Sequence, residues 1–233
     1  MDNNLTGLNA IVCGSTAGIG KATALLLAKN GANVTLLARD EDKLKAVKSE
    51  LNQSKDQKHD HYKVDFTKPE DLKAVMEVAT LNHHYSILIN NTGGPKGGPI
   101  INADVDEFRN AFEQHLISNQ ILVQAVFPSM KKNEFGRIIN VISTSVKQPI
   151  SGLGVSNTIR GAVANWSKTL ANEIGQFGIT VNNVLPGFTE TQRLEQIIIN
   201  KSEKQKSSVK EVADQMKQSV PMKRFGYADE VAD

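Results

Sequence analysis

The length, composition and charge are those of an ordinary globular protein. The chain has 233 residues, of which 39% are hydrophobic and 22% charged, and its net charge is +2 at pH 7. A chain of this size can bury a full core, and so small a charge excess favours neither nucleic acid nor a membrane surface as a partner. Its single cysteine excludes an internal disulfide, which is typical of a reducing compartment. Since the chain shows neither an N-terminal signal region nor an apolar run near the ~18 residues of a membrane helix, we expect a soluble cytoplasmic protein.

Short apolar runs alternate with helical patterns along the whole chain. Strands are predicted over 8–13, 33–38, 62–65, 86–90, 137–142 and 180–185. Helices are predicted over 18–30, 41–51, 69–81, 105–131 and 155–174, with a break near Phe112 as an alternative in the fourth, and the polar segment 190–219 is predicted to form one or two mobile helices. Apolar strands that alternate with helices indicate a parallel sheet covered on both faces. The predicted fold is a single α/β domain over 1–233, a Rossmann-type doubly wound parallel sheet.

A glycine turn links the first strand to the first helix, in the stretch Cys13-Gly14-Ser15-Thr16-Ala17-Gly18-Ile19-Gly20. Glycines permit a tight turn and a close approach of the backbone to a pyrophosphate, and the N–H groups at a helix start bind phosphates. A glycine pattern alone is weak, but its place between a strand and a helix strengthens it. We therefore predict a dinucleotide site, with a turn that binds no ligand as the less favoured alternative. Its residues are Gly14, Ser15, Thr16, Gly18, Ile19 and Gly20.

Four further segments accompany this turn. They are Asn90-Asn91-Thr92-Gly93 after the fourth strand, Gly136 to Ser143 over the fifth, Pro186-Gly187-Phe188-Thr189-Glu190-Thr191 after the sixth, and Pro221 to Gly226. Together with the spacing of the three glycines, they resemble the short-chain dehydrogenase/reductase family over the whole chain, and most closely its 3-oxoacyl-[acyl-carrier-protein] reductases. The resemblance implies a nicotinamide cofactor and a homodimer or homotetramer. It also implies a final helix followed by a seventh strand. The sequence ends at Asp233, inside that final helix.

The same resemblance assigns cofactor contacts outside the glycine turn. They fall on Asp65, Phe66, Asn91, Gly93, Pro186, Gly187, Thr189 and Thr191, with Arg160 at the nicotinamide ribose. At the end of the second strand, where an NAD site usually carries an acidic residue, the chain has Ala38 followed by Arg39. A guanidinium can pair with a ribose 2′-phosphate, so NADP(H) is favoured over NAD(H). In the alternative, Arg39 is solvated and Asp40 caps the next helix.

The catalytic set that the resemblance implies is largely replaced. In the family a serine holds the carbonyl, a Tyr-x-x-x-Lys pair protonates the substrate oxygen, and an asparagine anchors a water relay. The serine matches Ser143, but the tyrosine, lysine and asparagine positions match Ser156, Arg160 and His115, and none of the three tyrosines is followed by a lysine four residues later. Serine is a much weaker acid than tyrosine, and arginine stays protonated. An imidazole titrates near neutral pH, so His115 is the candidate proton donor, with a buried structural histidine as the alternative.

These residues predict an enzyme with an altered site. The leading hypothesis is an NADP(H)-dependent oxidoreductase that acts on a small carbonyl or alcohol substrate, an oxoacyl thioester being the class that the resemblance implies. The alternatives are a nucleotide-binding pseudoenzyme and a silent subunit of a hetero-oligomer. The segment 190–219 is expected to form a substrate lid and carries no chemical motif. The histidines at 59, 61, 83 and 84 are expected to be solvated, so no metal cofactor is predicted.

Overall fold

The computed structural model describes residues 4–233, and its centre is a six-stranded parallel sheet in the order β3-β2-β1-β4-β5-β6. The strands are β1 Asn9–Cys13, β2 Asn33–Ala38, β3 Asp60–Lys63, β4 Ile87–Asn90, β5 Gly136–Val141 and β6 Ile179–Val184. The helices are α1 Gly18–Lys29, α2 Glu41–Glu50, α3 Pro69–Asn82, α4 Val105–Phe112, α5 Ser118–Lys132, α6 Gly154–Ile174, α7 Gln192–Gln205, α8 Val209–Gln218 and α9 Ala228–Ala232. Of the helices within residues 4–233, none is long and apolar enough to cross a bilayer. Because the strand order reverses on either side of β1, the sheet is doubly wound, which confirms the predicted Rossmann-type fold.

The sheet is buried on both faces because its central strands are apolar on both. Along β1, Ile11 and Cys13 pack into one core cluster, and Ala10 and Val12 pack into the other. The first cluster includes residues of α3, α5 and α6, and the second includes residues of α1 and α2. Each large apolar side chain that is fully buried contributes about 1.5–3 kcal/mol. The two packed faces make the sheet a firm platform for the loops at its edges.

The third strand, which we predicted from apolar residues, has both of its bounds wrong. β3 begins at Asp60 rather than at Tyr62, and it ends at Lys63 rather than at Asp65. It is an edge strand paired only with β2, so polar residues fit at its start and the backbone ladder, rather than hydrophobicity, sets its bounds. The N–H of Val64 still donates to the last residue of β2. The chain therefore leaves the sheet just before Asp65.

The long fourth helix predicted from the sequence is interrupted directly after Phe112, where a break was the alternative. A π-helical turn, Glu113–Ile117, separates α4 from α5. The single O–H of Ser118 is shared between the carbonyl oxygens of Phe66, at 2.7 Å from Oγ, and of Glu113, at 3.0 Å. The widened turn is therefore tied to the loop after β3. Such turns are rare and occur frequently at functional sites.

The polar segment expected to be the substrate lid forms two helices, α7 and α8. The apolar faces of these two helices form a small hydrophobic cluster, which one residue after α8 completes. Its buried members are Leu194, Ile198, Val212, Met216 and Phe225. A parallel bridge between Thr189 and Gly226 joins the two ends of the segment. The segment is thus a packed unit with its own core, and its mobility stays a prediction.

His59 is buried, so the expectation that it is solvated is wrong. Its Nδ1 accepts from the N–H of Val34 at 3.0 Å, and its Nε2 lies 2.9 Å from the carbonyl oxygen of Asn52. Burial lowers the pKa of His59. The ring therefore fastens the loop before β3 to the start of β2, which is a structural role.

Candidate active site

The loops that follow β1, β4, β5 and β6 meet at one edge of the sheet. In a parallel sheet the carboxyl ends of the strands lie at the same edge, and a crevice forms where the chain crosses to either side of the first strand. β1 and β4 are neighbours here, and they lead into the glycine turn and the loop 91–98. β5 leads to Ser143, and β6 leads to Pro186 and Gly187. This edge collects most of the segments that the resemblance assigns to the site.

The glycine turn after β1 is packed against the loop after β4. Gly14 has a φ of +58°, and a Cβ there would lie 2.4 Å from the carbonyl oxygen of Asn91. A Cβ on Gly20 would lie 2.3 Å from the carbonyl oxygen of Gly14. The Nδ2 of Asn91 donates to the carbonyls of Cys13 and Gly14 at 3.2 and 3.3 Å. Both glycines are therefore required by the packing of the turn, and Asn91 positions it.

The N-terminus of α1 offers backbone donors to an anion. Its cap position is Ala17, which provides no side-chain acceptor, and within the described chain no acidic residue lies in its first turn. The N–H groups of residues 18–20 therefore have no side-chain cap, and a helix start carries partial positive charge. Ser15 is buried and donates to the carbonyl of Leu37 at 3.4 Å, whereas Thr16 is half-buried. This uncapped start fits the pyrophosphate of a dinucleotide.

Arg39 and Asp65 follow the neighbouring strands β2 and β3. The side chain of Asp40 caps α2, as the alternative expected, but Arg39 is exposed and forms no ion pair within residues 4–233. Partial burial alone would raise the pKa of Asp65, but hydrogen bonds from Thr67 and the charge of Arg39 hold that pKa below its usual value. Phe66 is buried beside it. Arg39 is thus close enough to act electrostatically on Asp65 and remains available to a phosphate.

The π-helical turn directs two side chains at the loop after β4. The Nδ1 of His115 lies 2.6 Å from Oγ1 of Thr92, and the Nε2 of Gln114 donates to the carbonyl of Gly93 at 3.0 Å. His115 is 1% exposed, and among the described residues its Nε2 has no hydrogen-bond partner. A buried polar nitrogen without a partner is costly. Nε2 is therefore a candidate to bond a ligand.

The surroundings of His115 favour its neutral form. Burial, and then the charges of Arg160 and Arg193, lower the pKa of His115 well below its usual value of 6.5. At pH 7 a neutral imidazole bonds as a weak donor or as an acceptor. The near-neutral titration expected of His115 therefore requires a change in its surroundings.

Arg160 lies on α6 and is only 8% exposed. Its Nη1 donates to the carbonyl of Val141 at 3.1 Å, and its Nη2 donates to the carbonyl of Thr92 at 3.5 Å. The guanidinium thereby joins the end of β5 to the loop after β4. Burial and the charge of Arg193 lower the pKa of Arg160 to about 10. It therefore stays protonated at neutral pH.

Ser143 lies directly beyond β5, beside the loop that follows β6. Its Oγ accepts from the N–H of Ser145 at 3.0 Å, which leaves its own O–H to donate elsewhere. The N–H of Thr144 donates to the carbonyl of Pro186 at 3.3 Å. Ser143 and the Pro186-Gly187 loop are thus held next to each other.

Ser156 is half-buried on α6, one helical turn before Arg160 and on the same face. Within residues 4–233 its side chain forms no hydrogen bond. No tyrosine lies on α6, and Tyr85 is bonded to Thr35 at 3.0 Å inside the core. A proton donor on α6 must therefore be a group other than tyrosine.

Arg193 on α7 also belongs to this group, although no sequence pattern predicted it. Its guanidinium donates to the carbonyl of Pro95, and a Cβ on Gly94 would lie 3.4 Å from its Nε. Thr191, which caps α7, touches the glycine turn, since a Cβ on Gly18 would lie 3.0 Å from its Cγ2. The segment 190–219 is therefore packed against the loops after β1 and β4. No motif marks Arg193, and its one signal is its position two residues after Thr191.

Comparison with known proteins identifies the family. The family model for short chain dehydrogenases matches residues 8–202. The NADPH-dependent reductase BacG of Bacillus subtilis is 29% identical over 229 residues, which cover 96% of this chain and 87% of that protein. The 3-oxoacyl-[acyl-carrier-protein] reductase FabG of Vibrio cholerae is 33% identical over 189 residues, or 81% and 76% of the two chains. The structure of L-sorbose reductase from Gluconobacter frateurii, complexed with NADPH and L-sorbose, matches with a TM-score of 0.92 at 29% identity, over 100% of this chain and 89% of that one. The chain therefore belongs to the short-chain dehydrogenase/reductase family.

Proposed function

We propose that this protein is an NADP(H)-dependent oxidoreductase that transfers hydride between the nicotinamide and a carbonyl or alcohol carbon. The observation that carries the proposal is the meeting, at one edge of the sheet, of the uncapped start of α1 with Ser143, His115 and Arg160. The helix start suits a pyrophosphate, and the polar groups suit an oxygen on which negative charge develops. The relatives support this function, since one is an NADPH-dependent reductase and another a 3-oxoacyl-[acyl-carrier-protein] reductase.

The polar groups take separate tasks in the reduction. When bound, NADPH supplies the hydride that the carbonyl carbon accepts. The hydroxyl of Ser143 donates to the carbonyl oxygen, and Ser156 is placed to bond the same substrate. Arg160, fixed by two backbone carbonyls, holds the nicotinamide ribose and adds positive potential. The proton that completes the alcohol comes from His115 or from water bonded to its Nε2.

The exposed guanidinium of Arg39 supports NADP(H) over NAD(H). Its position after β2, with no carboxylate at Ala38, suits a 2′-phosphate. Asp65 and Phe66 would then contact the adenine, and the loops after β4 and β6 would enclose the nicotinamide. The remaining contacts in those loops would come from Asn91, Gly93, Pro186, Gly187, Thr189 and Thr191.

The substrate class and the assembly are inferred from relatives. The similarity to 3-oxoacyl-[acyl-carrier-protein] reductases supports a 3-oxoacyl thioester as one substrate class. A homodimer or homotetramer stays a prediction.

A cofactor-binding pseudoenzyme is the second candidate, and one observation favours it. Ser156 and Arg160 stand where the family has its proton-donating pair, and the neutral His115 is a weak acid at pH 7. A silent subunit of a hetero-oligomer would show the same features.

Deuterium transfer distinguishes an enzyme from both alternatives. The protein is incubated with NADPH deuterated at the reactive C4 position and with a metabolite extract, and the products are examined by mass spectrometry. We expect one deuterium in an alcohol product with the wild type. With Ser143→Ala we expect at least a hundredfold loss, because one donor to a developing oxyanion is worth about 10²–10³ in rate.

Ser54→Ala is the matched control, because Ser54 is exposed and lies in the loop between α2 and β3. Its product yield should equal that of the wild type. Protein that binds NADPH but transfers no label to any metabolite would favour the pseudoenzyme or the silent subunit.

A further inference from the structure

Three nitrogen-bearing side chains surround the backbone of residues 92–95. His115 bonds the hydroxyl of Thr92, Arg160 bonds the carbonyl of Thr92, and Arg193 bonds the carbonyl of Pro95. They come from the π-helical turn, from α6 and from the lid. The loop after β4 therefore brings two guanidinium groups and a buried imidazole together.

These two arginines lack a counter-charge. Within residues 4–233, neither Arg160 nor Arg193 forms an ion pair with a carboxylate, although Arg109 and Arg224 each do. Burial lowers the pKa of both Arg160 and Arg193, and the charge of Arg193 lowers that of Arg160 further, because a positive charge is disfavoured away from water and beside another positive charge. Buried charge that is not compensated is destabilising. An anion bound between them would remove that cost.

Hydrogen-bond donors in this cluster outnumber their acceptors. A guanidinium has five N–H donors, of which Arg160 directs two at backbone carbonyls. The Nε2 of His115 is buried and has no partner in the described chain. The unused guanidinium N–H groups call for a ligand that mainly accepts hydrogen bonds. A carboxylate accepts two parallel hydrogen bonds from an arginine.

We propose that the substrate carries a carboxylate close to the carbonyl group, and that Arg193 binds this carboxylate with the positive charge of Arg160 beside it. The inference rests on the proposed function, since it names the substrate of that site. The carboxylate lies next to the reacting carbonyl because Arg160 is anchored on Val141, two residues before Ser143. Free oxo acids are then preferred to neutral esters and thioesters of the same acyl chain, so this inference selects against the 3-oxoacyl thioester class inferred from the relatives.

The cofactor is the other source of an anion. Its pyrophosphate is matched by the uncapped start of α1 and its 2′-phosphate by Arg39. Arg193 instead bonds the loop after β4, on the side of Thr92 and His115. The geometry therefore favours the substrate as the source, and the experiment separates the two.

Calorimetric titration of the NADP⁺-saturated protein tests the proposal without turnover. The probes are pyruvate and acetoacetate, each compared with its methyl ester. We expect the wild type to bind at least one acid about tenfold or more tightly than its ester. In Arg193→Gln this ratio should fall to near one with ester affinity unchanged, and Arg193→Lys, which keeps the charge, should fall between. The control Arg109→Gln, an exposed arginine on α4, should bind like the wild type.

Equal affinities for each acid and its ester in the wild type would overturn the inference. So would an Arg193→Gln protein that binds NADPH weakly but keeps the acid preference, because Arg193 would then serve the cofactor. If the wild type does not bind NADPH, the proposed function fails. The same acids are then titrated into the protein alone, and an acid preference lost in Arg193→Gln would still support the anion site.

Discussion

His115 illustrates how position decides the chemistry of a single residue. Its ring is fixed through Nδ1 by Thr92, and its Nε2 has no partner in residues 4–233. Burial and two arginine charges favour the neutral form. A carboxylate bound to those arginines would cancel part of their positive potential and raise the pKa of His115 toward its usual range. Proton donation by His115 is then coupled to the presence of the substrate.

The neutral state of His115 predicts a pH-dependent stability. Its folded-state pKa lies below the unfolded value of about 6.5, so the unfolded chain binds the proton first as the pH falls. Stability is full above pH 6.5 and declines from there toward the lowered pKa, by up to about 1.4 kcal/mol per pH unit for one proton. Urea denaturation between pH 5 and 7.5, a range chosen on the ordinary histidine scale of about 6.5, should show this slope.

His115→Gln should flatten the slope, because its amide can still bond Thr92 but does not titrate. His59, whose pKa burial also lowers, contributes in the same direction and should leave a smaller slope behind. Parallel stability curves for the wild type and His115→Gln would show that His115 titrates normally in the folded protein.

Residue types and spacing predicted which segments lie together at the candidate site. The glycine turn, Ser143 and the loop after β6 were found because their chemistry follows a strand end directly. The unpaired Nε2 of His115 was not predictable from the sequence, because the burial of the His115 ring depends on the π-helical turn. Arg193 was not predicted, because its contact with Pro95 joins residues far apart in sequence. Only the packing of α7 against the loop after β4 brings these residues together.

At the level of elements, a row of asparagines crosses the sheet. Asn90 on β4 donates to Asn140 on β5 at 2.8 Å, and Asn140 donates to Asn183 on β6 at 3.1 Å. The Nδ2 of Asn183 continues to Ser167 on α6 at 2.6 Å. The parallel register aligns these three positions. The sequence predicts the strands, but their register, which pairs the asparagines, follows only from the folded sheet.

This row predicts a large loss of stability for Asn140→Ala. The change leaves the Nδ2 of Asn90 without its acceptor and the Oδ1 of Asn183 without its donor. An unsatisfied buried group costs about 1–3 kcal/mol, and the half-buried Asn183 should lose less than the buried Asn90, so the free energy of unfolding should fall by about 2–4 kcal/mol. Asn182→Ala is the control, because Asn182 is exposed on β6, and it should change stability by less than about 0.5 kcal/mol. Equal losses in urea denaturation would show that the row carries no special stability.

At the level of the whole molecule, cofactor binding links parts that are far apart in sequence. The dinucleotide would span Arg39 after β2, the start of α1, and the loops after β4, β5 and β6. A ligand that binds only the folded state raises the free energy of unfolding of the whole domain, by about 2.7 kcal/mol at one hundred times its Kd. For a chain of this length, 1 kcal/mol corresponds to roughly 2–4 °C in Tm.

NADPH at one hundred times its Kd should therefore raise the Tm of the wild type by roughly 5–10 °C. In Arg39→Leu the same NADPH concentration should give only about 1–6 °C, because losing a charge-assisted pair with the 2′-phosphate weakens binding by about 10–100-fold. The shift with NADH, which has no such phosphate, should be the same in both proteins. Lys45→Leu removes an exposed charge from the neighbouring helix α2, and should retain the full NADPH shift. If Arg39→Leu also retains the full NADPH-induced Tm shift, Arg39 is a solvated residue. Other residues of the site would then determine the preference between NADP(H) and NAD(H).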